Sequence, residues 1–268
     1  MIERTDFGDV IRLRMWTLRS RAVGYDSSAY LVRGVLIDTG PYHVRRGLAG
    51  ALGELTPRGV VVTHWHEDHA GNAAMIASAG LPMWMHEYTE RQLRDFPPMK
   101  FYRRFTWGHP DNLRGEVARF DPAPLQVIAT PGHSADHHVV WDADTRTLFS
   151  ADLWLGVRVR SIALSESPRQ IVASLTRAIE LDPVRMFDAH RGLIDRPLVA
   201  LTAKRAWMDE TVGAVERALA RGDPESAILK SVLGGEERTG FVSQGEYARR
   251  NFVRAVANES ARPPLRGG

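Results

Sequence analysis

The 268-residue chain contains no cysteine. This removes disulfides, thiolate metal sites and cysteine nucleophiles from consideration. Lysine is nearly as scarce, at positions 100, 204 and 230 only, so almost every cation is an arginine. Arginine suits phosphate contacts. However, 35 basic against 32 acidic residues leave a net charge of only +3, and the lysine-poor, alanine-rich chain is read first as a bias of coding composition. No apolar run approaches a membrane span, and the segment Met1 to Phe7 carries acidic residues and lacks the apolar core of a signal peptide. Together with the missing cysteine, this leads us to expect a cytoplasmic protein with no membrane partner. With 44% hydrophobic and 25% charged residues, the composition is that of an ordinary globular protein, and the length suits one α/β domain with additions.

Histidine is distributed unevenly. Of ten histidines, three fall between positions 64 and 69, in the string Thr63-His64-Trp65-His66-Glu67-Asp68-His69. Val60 to Thr63 reads as a short buried strand, β-branched and bounded by Pro57 and Gly59. Ala70 to Ala77 reads as a helix of small residues ending at Gly80. The cluster therefore falls at the carboxyl end of a strand, where open α/β sheets place their chemistry. Residues two apart in extended chain point the same way, so His64 and His66 can grip one ion while Asp68 and His69 face a second. Mixed imidazole and carboxylate suit zinc, manganese or iron rather than calcium.

One loop cannot complete two coordination shells. Three later strand ends offer the missing groups: Leu125 to Thr130 breaks at Pro131-Gly132 before His133, Thr147 to Ala151 delivers Asp152, and Val184 to Asp188 leads to His190. An upstream stretch, Gly34 to Gly40, carries Asp38, which taken by itself is a turn residue before Thr39-Gly40.

In this order, His64, His66, Asp68, His69, His133, Asp152 and His190 resemble the metal motifs of the metallo-β-lactamase-fold hydrolases, over roughly positions 10 to 195. The resemblance implies an α/β fold, a metallo-β-lactamase αββα sandwich with a helical C-terminal addition. It implies two divalent ions, expected to be zinc with manganese or iron as alternatives. His64, His66 and His133 would hold the first ion, and Asp68, His69 and His190 the second. Asp152 would bridge them, and Asp38 would support the loop without binding metal. A metal-bridging hydroxide would be the nucleophile, with Asp68 orienting it and passing a proton to the leaving group.

Among the other histidines, His137 and His138 open a strand whose alternation should bury one and expose the other. Asp136 or His137 braces the metal loop, or else holds a plain strand position. His86 is expected to cap a strand end and His43 to lie on the surface, while His109, in the inserted region, either faces substrate or, as favoured, has no part in the site.

Domain boundaries are expected at 1-196 for the catalytic domain, 197-260 for a helical region and 261-268 for a flexible tail. An insertion at about 88-120 is aromatic and basic, broken by Pro97-Pro98. It is read as a substrate lid carrying Trp107, as a helical pair on the core, or as a homodimer contact. Trp154 and Arg158 form a second candidate substrate wall. Ser167-Pro168-Arg169-Gln170 is a capping box opening a helix. Further on, Leu198 to Ala220 is amphipathic, Asp223-Pro224 opens another helix, and Ser243 to Glu246 should cap a last one, with Gly234-Gly235 and Gly240 as separators.

Three functions are weighed. The first is a small-molecule hydrolase acting on an ester, thioester or lactone. The second is an endoribonuclease or phosphodiesterase in which Arg103, Arg104, Arg249, Arg250 and Arg254 grip a nucleic acid. The third, a non-catalytic binding module, is disfavoured because no ligand position is missing. Within the family resemblance, a mononuclear iron sulfur dioxygenase is a minor alternative, and the oxygen-reducing diiron branch would carry a Glu in place of His66.

Overall fold

The computed structural model describes residues 1–22 and 24–260. The proposed tail, 261-268, lies outside the described residues. Among these residues the strands are β1 (Ile2–Asp6), β2 (Val10–Met15), β3 (Ser27–Val32), β4 (Val35–Ile37), β5 (Gly59–Val62), β6 (Met83–Met85), β7 (Gln126–Ala129), β8 (His138–Asp142), β9 (Thr147–Ala151), β10 (Ile162–Ala163), β11 (Arg185–Asp188), β12 (Gly192–Ile194) and β13 (Tyr247–Ala248). The α-helices are α1 (Leu18–Ala22), α2 (Arg45–Leu55), α3 (Glu67–Ala70), α4 (Ala73–Ser78), α5 (Glu87–Arg94), α6 (Phe101–Trp107), α7 (Pro168–Glu180), α8 (Pro197–Ala220), α9 (Glu225–Leu233), α10 (Arg238–Val242) and α11 (Arg249–Ser260). Among them no helix is long and apolar enough to cross a membrane.

The chain divides into two compact units. The first, residues 1–129, 136–152 and 185–194, holds a six-stranded sheet in the order β1-β2-β3-β4-β5-β6 and a five-stranded sheet in the order β12-β11-β9-β8-β7. Val10, Tyr30, Val32, Val35, Ile37 and Val61 of the first sheet meet Val140, Phe149 and Phe187 of the second in one apolar core. Phe149 and Phe187 stack with centroids 5.5 Å apart, and the Tyr30 hydroxyl, buried beside them, donates to the Asp188 carbonyl at 2.6 Å. The other face of the first sheet is covered by Leu48 of α2, Ile76 of α4 and Leu93 of α5. The pairs β4–β5, β5–β6 and β9–β11 are parallel. Their carboxyl ends lead directly into Asp38, Thr63-His64, Asp152 and His190.

The helix expected over 70–77 is two short ones. Gly71 interrupts them because its α-carbon lies against backbone: a β-carbon there would fall 2.4 Å from the Glu67 carbonyl oxygen and 2.7 Å from that of Gly40. Asn72 fixes the break, its Nδ2 donating to the carbonyls of Thr39, Gly40 and Pro41. His137 and His138 are both buried, against the expected alternation: His137 precedes β8, and His138 opens β8, a strand buried on both faces. His86 lies directly after the end of β6, as expected, and there it also caps the start of α5, where its Nδ1 accepts from Tyr88 N at 3.1 Å. The 88–120 segment folds as α5 and α6 with a break at Pro97-Pro98.

The second unit comprises 130–135, 153–184 and 195–260 of the described residues. Here α7 packs on α8, and α11 on α7, α8 and α9, around Leu175, Leu201, Met208, Ile228 and Phe252. As the capping box requires, Ser167 Oγ accepts from Gln170 N. Ser243 does not cap the last helix: strand β13, paired with β10, intervenes, and Ser243 Oγ accepts from Tyr247 N instead. Gly240 lies inside α10 and is not a separator.

Candidate metal centre

Six of the seven expected ligands lie in the first unit, at the strand ends just described. Ligand atoms of His64, His66 and Asp152 lie within 4.8 Å of one another, and so do those of Asp68, His69 and His190. The Asp152 carboxylate faces both groups. Its Oδ1 is 3.2 Å from His69 Nε2 and 3.2 Å from His190 Nε2, while its Oδ2 is 4.0 Å from His64 Nε2. Asp68 Oδ2 is 3.5 Å from His190 Nε2 and 3.8 Å from His69 Nε2.

The ring orientations are set from behind. Asp38 Oδ2 accepts from His69 Nδ1 at 2.8 Å and from the Thr63 hydroxyl at 2.9 Å, and its Oδ1 accepts from Thr63 N at 2.8 Å. Because the Thr63 hydroxyl gives its proton to Asp38, it can only accept from His64 Nδ1, 3.0 Å away. One buried carboxylate thereby fixes the Nδ1–H tautomer of two histidines and turns both Nε2 lone pairs toward Asp152. Asp38 does this from a left-handed backbone conformation, φ 65°, that few non-glycine residues adopt. His190 is oriented differently: its Nδ1 donates to the Asp26 carbonyl at 2.6 Å, and its own backbone N donates to Asp188 Oδ1.

Two further residues brace the loops. Asp136 Oδ2 accepts from Trp65 N at 3.0 Å and from Thr89 Oγ1 at 2.6 Å, tying the metal loop to α5. His137 Nε2 accepts from the backbone N of Asp152 at 3.1 Å. In the second unit, His133 Nδ1 donates to Glu166 Oε2 at 3.3 Å, and Glu166 Oε1 accepts from Ala163 N. Trp154, also in that unit, is half-buried with its Nε1 donating to the Ala200 carbonyl. Lys204 is buried, and its Nζ donates to the carbonyls of Leu153 and Trp154. Arg158 is exposed, and Trp107 is the half-buried last residue of α6.

Asp26, Thr63 in its relay role, Asp188 and Glu166 were not singled out in the sequence. Thr63 and Asp188 sit within the quoted motifs, and the Asp-x-His spacing of Asp188 to His190 is the signature of a side chain accepting from the backbone two residues on. Asp26 acts through its carbonyl, which no side-chain pattern marks.

The donor set fits divalent cations. His69 Nε2 is fully buried and makes no hydrogen bond. His64 Nε2 and His66 Nδ1 are 3.1 Å apart, so a proton or a cation must lie between the two nitrogens. Burial alone would lower the pKa of His69 and His190. The carboxylates outweigh it: Asp152, Asp38 and Asp68 hold His69 well above its usual value, and Asp152 and Asp68 hold His190 at about 9. His64 is driven well below its usual value by burial, then by the neighbouring His69 and His66. This arrangement, in which carboxylates demand positive charge next to an imidazole that resists protonation, suits a metal ion better than protons.

Comparison with known proteins agrees. The family model of the metallo-beta-lactamase superfamily matches residues 22–190. A Caenorhabditis elegans beta-lactamase-like protein 2 homolog is 30% identical over 171 residues, covering 60% of this chain and 53% of that protein. An atrochrysone carboxyl ACP thioesterase of Claviceps purpurea is 25% identical over 135 residues, covering 50% of this chain and 38% of that one. The chain thus spans about half the length, or less, of these two relatives. A metallo-beta-lactamase family protein from Thermus thermophilus shares the fold, with a TM-score of 0.67 at 18% identity over 97% of this chain and 96% of that one. With strand ends, tautomer-setting partners and family model in agreement, the chain belongs to the metallo-beta-lactamase superfamily.

Proposed function

We propose that the chain is a cytoplasmic, dinuclear metal-dependent hydrolase acting on a small-molecule ester, thioester or lactone. The observation that carries this reading is the placement of Asp152, with one carboxylate oxygen toward His69 and His190 and the other toward His64. In this reading His64, His66 and His133 hold one ion, Asp68, His69 and His190 the other, and Asp152 is shared. Zinc is the proposed ion, since every donor is an imidazole or a carboxylate. Bound divalent ions supply Lewis acidity and bring the pKa of water to near neutrality.

The protein's own groups do the rest. Asp68 is half-buried beside His69 and His190, where its carboxylate can hold a water's proton and deliver it to the departing alcohol or thiol. Asp38 and Asp26 keep Nδ1 of His69 and His190 protonated through the cycle, so that neither ring turns over. Asp136 and His137 hold the two loop backbones in register.

The thioesterase name of one relative supports the thioester among the three bond types. The ribonuclease reading loses support, because four of its five arginines, all but Arg104, are already engaged. Arg103 is ion-paired with Glu67, and Arg249, Arg250 and Arg254 with Glu237, Glu236 and Glu225. The test is a hydrolysis screen across thioesters, lactones, aryl esters, phosphodiesters and short RNA with a chelator control, alongside metal analysis. Two ions per chain and chelator-sensitive cleavage of an acyl compound are expected. One iron per chain, or cleavage of RNA alone, would overturn the reading.

A further inference from the structure

Helix α6 is built inside out. Phe101, Arg104 and Phe105, at i, i+3 and i+4, form its solvent face, with Phe101 80% and Phe105 43% exposed and their rings 6.0 Å apart. Beneath them Arg103 turns inward and holds Glu67 of α3 through both of its carboxylate oxygens. Folding alone favours the reverse, phenylalanine inward and arginine outward. The pair also fastens α6 to the helix that carries Asp68, so this face is held in fixed relation to the metal centre of the same unit.

Neighbouring α1 extends the face. Leu18 is 77% exposed, Arg19 stacks on Phe105 with its guanidinium carbon 4.7 Å from the ring centre, and Arg21 lies 4.3 Å over Trp16. Arg19, Arg21 and Arg104 are exposed, and among the described residues no carboxylate pairs with them. His43 Nε2 lies 3.3 Å from the Phe105 carbonyl, and beyond it an open pocket walled by Tyr42, His43, Arg45 and Arg46 continues the surface.

An occupant of this face presents planar or apolar groups and negative charge together. A second copy of the chain meeting it by the same face does not, since it would bring arginine against arginine. A long polyanion requires an extended basic track, whereas this face offers two stacking rings and a few arginines on a chain of net charge +3. One phosphorylated nucleotide matches that size, its base stacking on phenylalanine and its phosphates meeting arginine.

We propose that the α1–α6 face binds the nucleotide end of a coenzyme A-type acyl thioester, whose flexible arm carries the thioester to the metal centre. This rests on the hydrolase reading for its substrate class. Binding and turnover are therefore measured separately on the full chain. Coenzyme A, with no acyl group, should bind in a salt-dependent manner, about tenfold more weakly in Arg19→Glu, Arg104→Glu and Phe105→Ser. The kcat/KM ratio of an acyl-coenzyme A to the same acyl group on N-acetylcysteamine, which lacks the nucleotide, should fall by a similar factor, with N-acetylcysteamine turnover unchanged. Absent coenzyme A binding, binding indifferent to all three substitutions, or short single-stranded RNA displacing coenzyme A at lower concentration would overturn the proposal. If coenzyme A binding depends on these residues but neither thioester is cleaved, the nucleotide site stands and the thioester member of the hydrolase reading fails.

Discussion

Asp38 and His69, 31 residues apart in the chain, meet at 2.8 Å inside the first unit, carboxylate Oδ2 to imidazole Nδ1. The same oxygen accepts from Thr63, whose hydroxyl faces His64, so two histidines take their tautomer from one buried group. In Asp38→Asn an amide replaces the second acceptor oxygen and this control is lost. Metal affinity should fall by about 10- to 100-fold, read by competition against a chromophoric chelator.

Asp68→Asn keeps the shape of the side chain and removes its ability to take a proton. Metal content should be largely retained while turnover falls by at least about 100-fold. Unchanged activity would remove Asp68 from the mechanism. Asp152→Ala should instead lower the occupancy of both metal positions, and metal analysis showing two fully retained ions would contradict a shared carboxylate.

Arg103→Met leaves Glu67 buried without its arginine. Burial already raises the pKa of Glu67, with Arg103 opposing. The substitution should destabilise the protein by about 3–5 kcal/mol, and pairing it with Glu67→Gln should recover a large part of that loss. Urea denaturation of both single variants and the double variant gives the coupling. A double variant no more stable than Arg103→Met would show that the arginine acts through other contacts.

His138 is buried between Trp84 and His86, and its Nδ1 donates to the Asp136 carbonyl. Burial first, and the nearby His86, lower its pKa below 6.5. Between that lowered value and 6.5 the unfolded chain binds the proton and the folded one does not, so stability rises with pH and is lost as pH falls below about 6.5. His138→Phe should flatten the denaturation midpoint between pH 6.5 and 5 relative to the parent. An unaltered slope would place the titration elsewhere.

Chelation should abolish turnover, and added zinc should restore it without refolding, because β4, β5, β9 and β11 are held by their own ladders and by the core between the sheets. Activity that survives exhaustive dialysis against chelator, with no metal left in the sample, would contradict metal-dependent hydrolysis.

Much of the candidate site was legible because its side chains cluster where strands end: His64 to His69 after β5, Asp152 after β9, and His190 after β11. The alternation rule failed at His137 and His138 because β8, which starts only at His138, is buried on both faces. Of the groups that orient the ligands, Asp38 was legible as the end of an early strand, but Asp26 and Glu166 were not. Asp26 contributes a backbone carbonyl to a ring 164 positions away, and Glu166 reaches His133 across 33. The break between α3 and α4 follows from how closely Gly71 approaches the Gly40 backbone, a tertiary fact that local helix propensity does not register. The inverted polarity of α6 depends on a partner 36 residues upstream, so the segment alone reads only as aromatic and basic.

The first-unit groups of the metal centre and its tautomer relay come from positions between 38 and 190. No short peptide cut from this chain contains them, in contrast to a zinc finger, whose ligands sit in one brief segment. Closing so long a span is slow. The centre is complete only once β11 lies beside β9 and brings His190 to Asp152. A nascent chain released before that strand is made would hold the crowded loop yet lack the second ion's last imidazole, and a metal captured at that stage would be easily lost again.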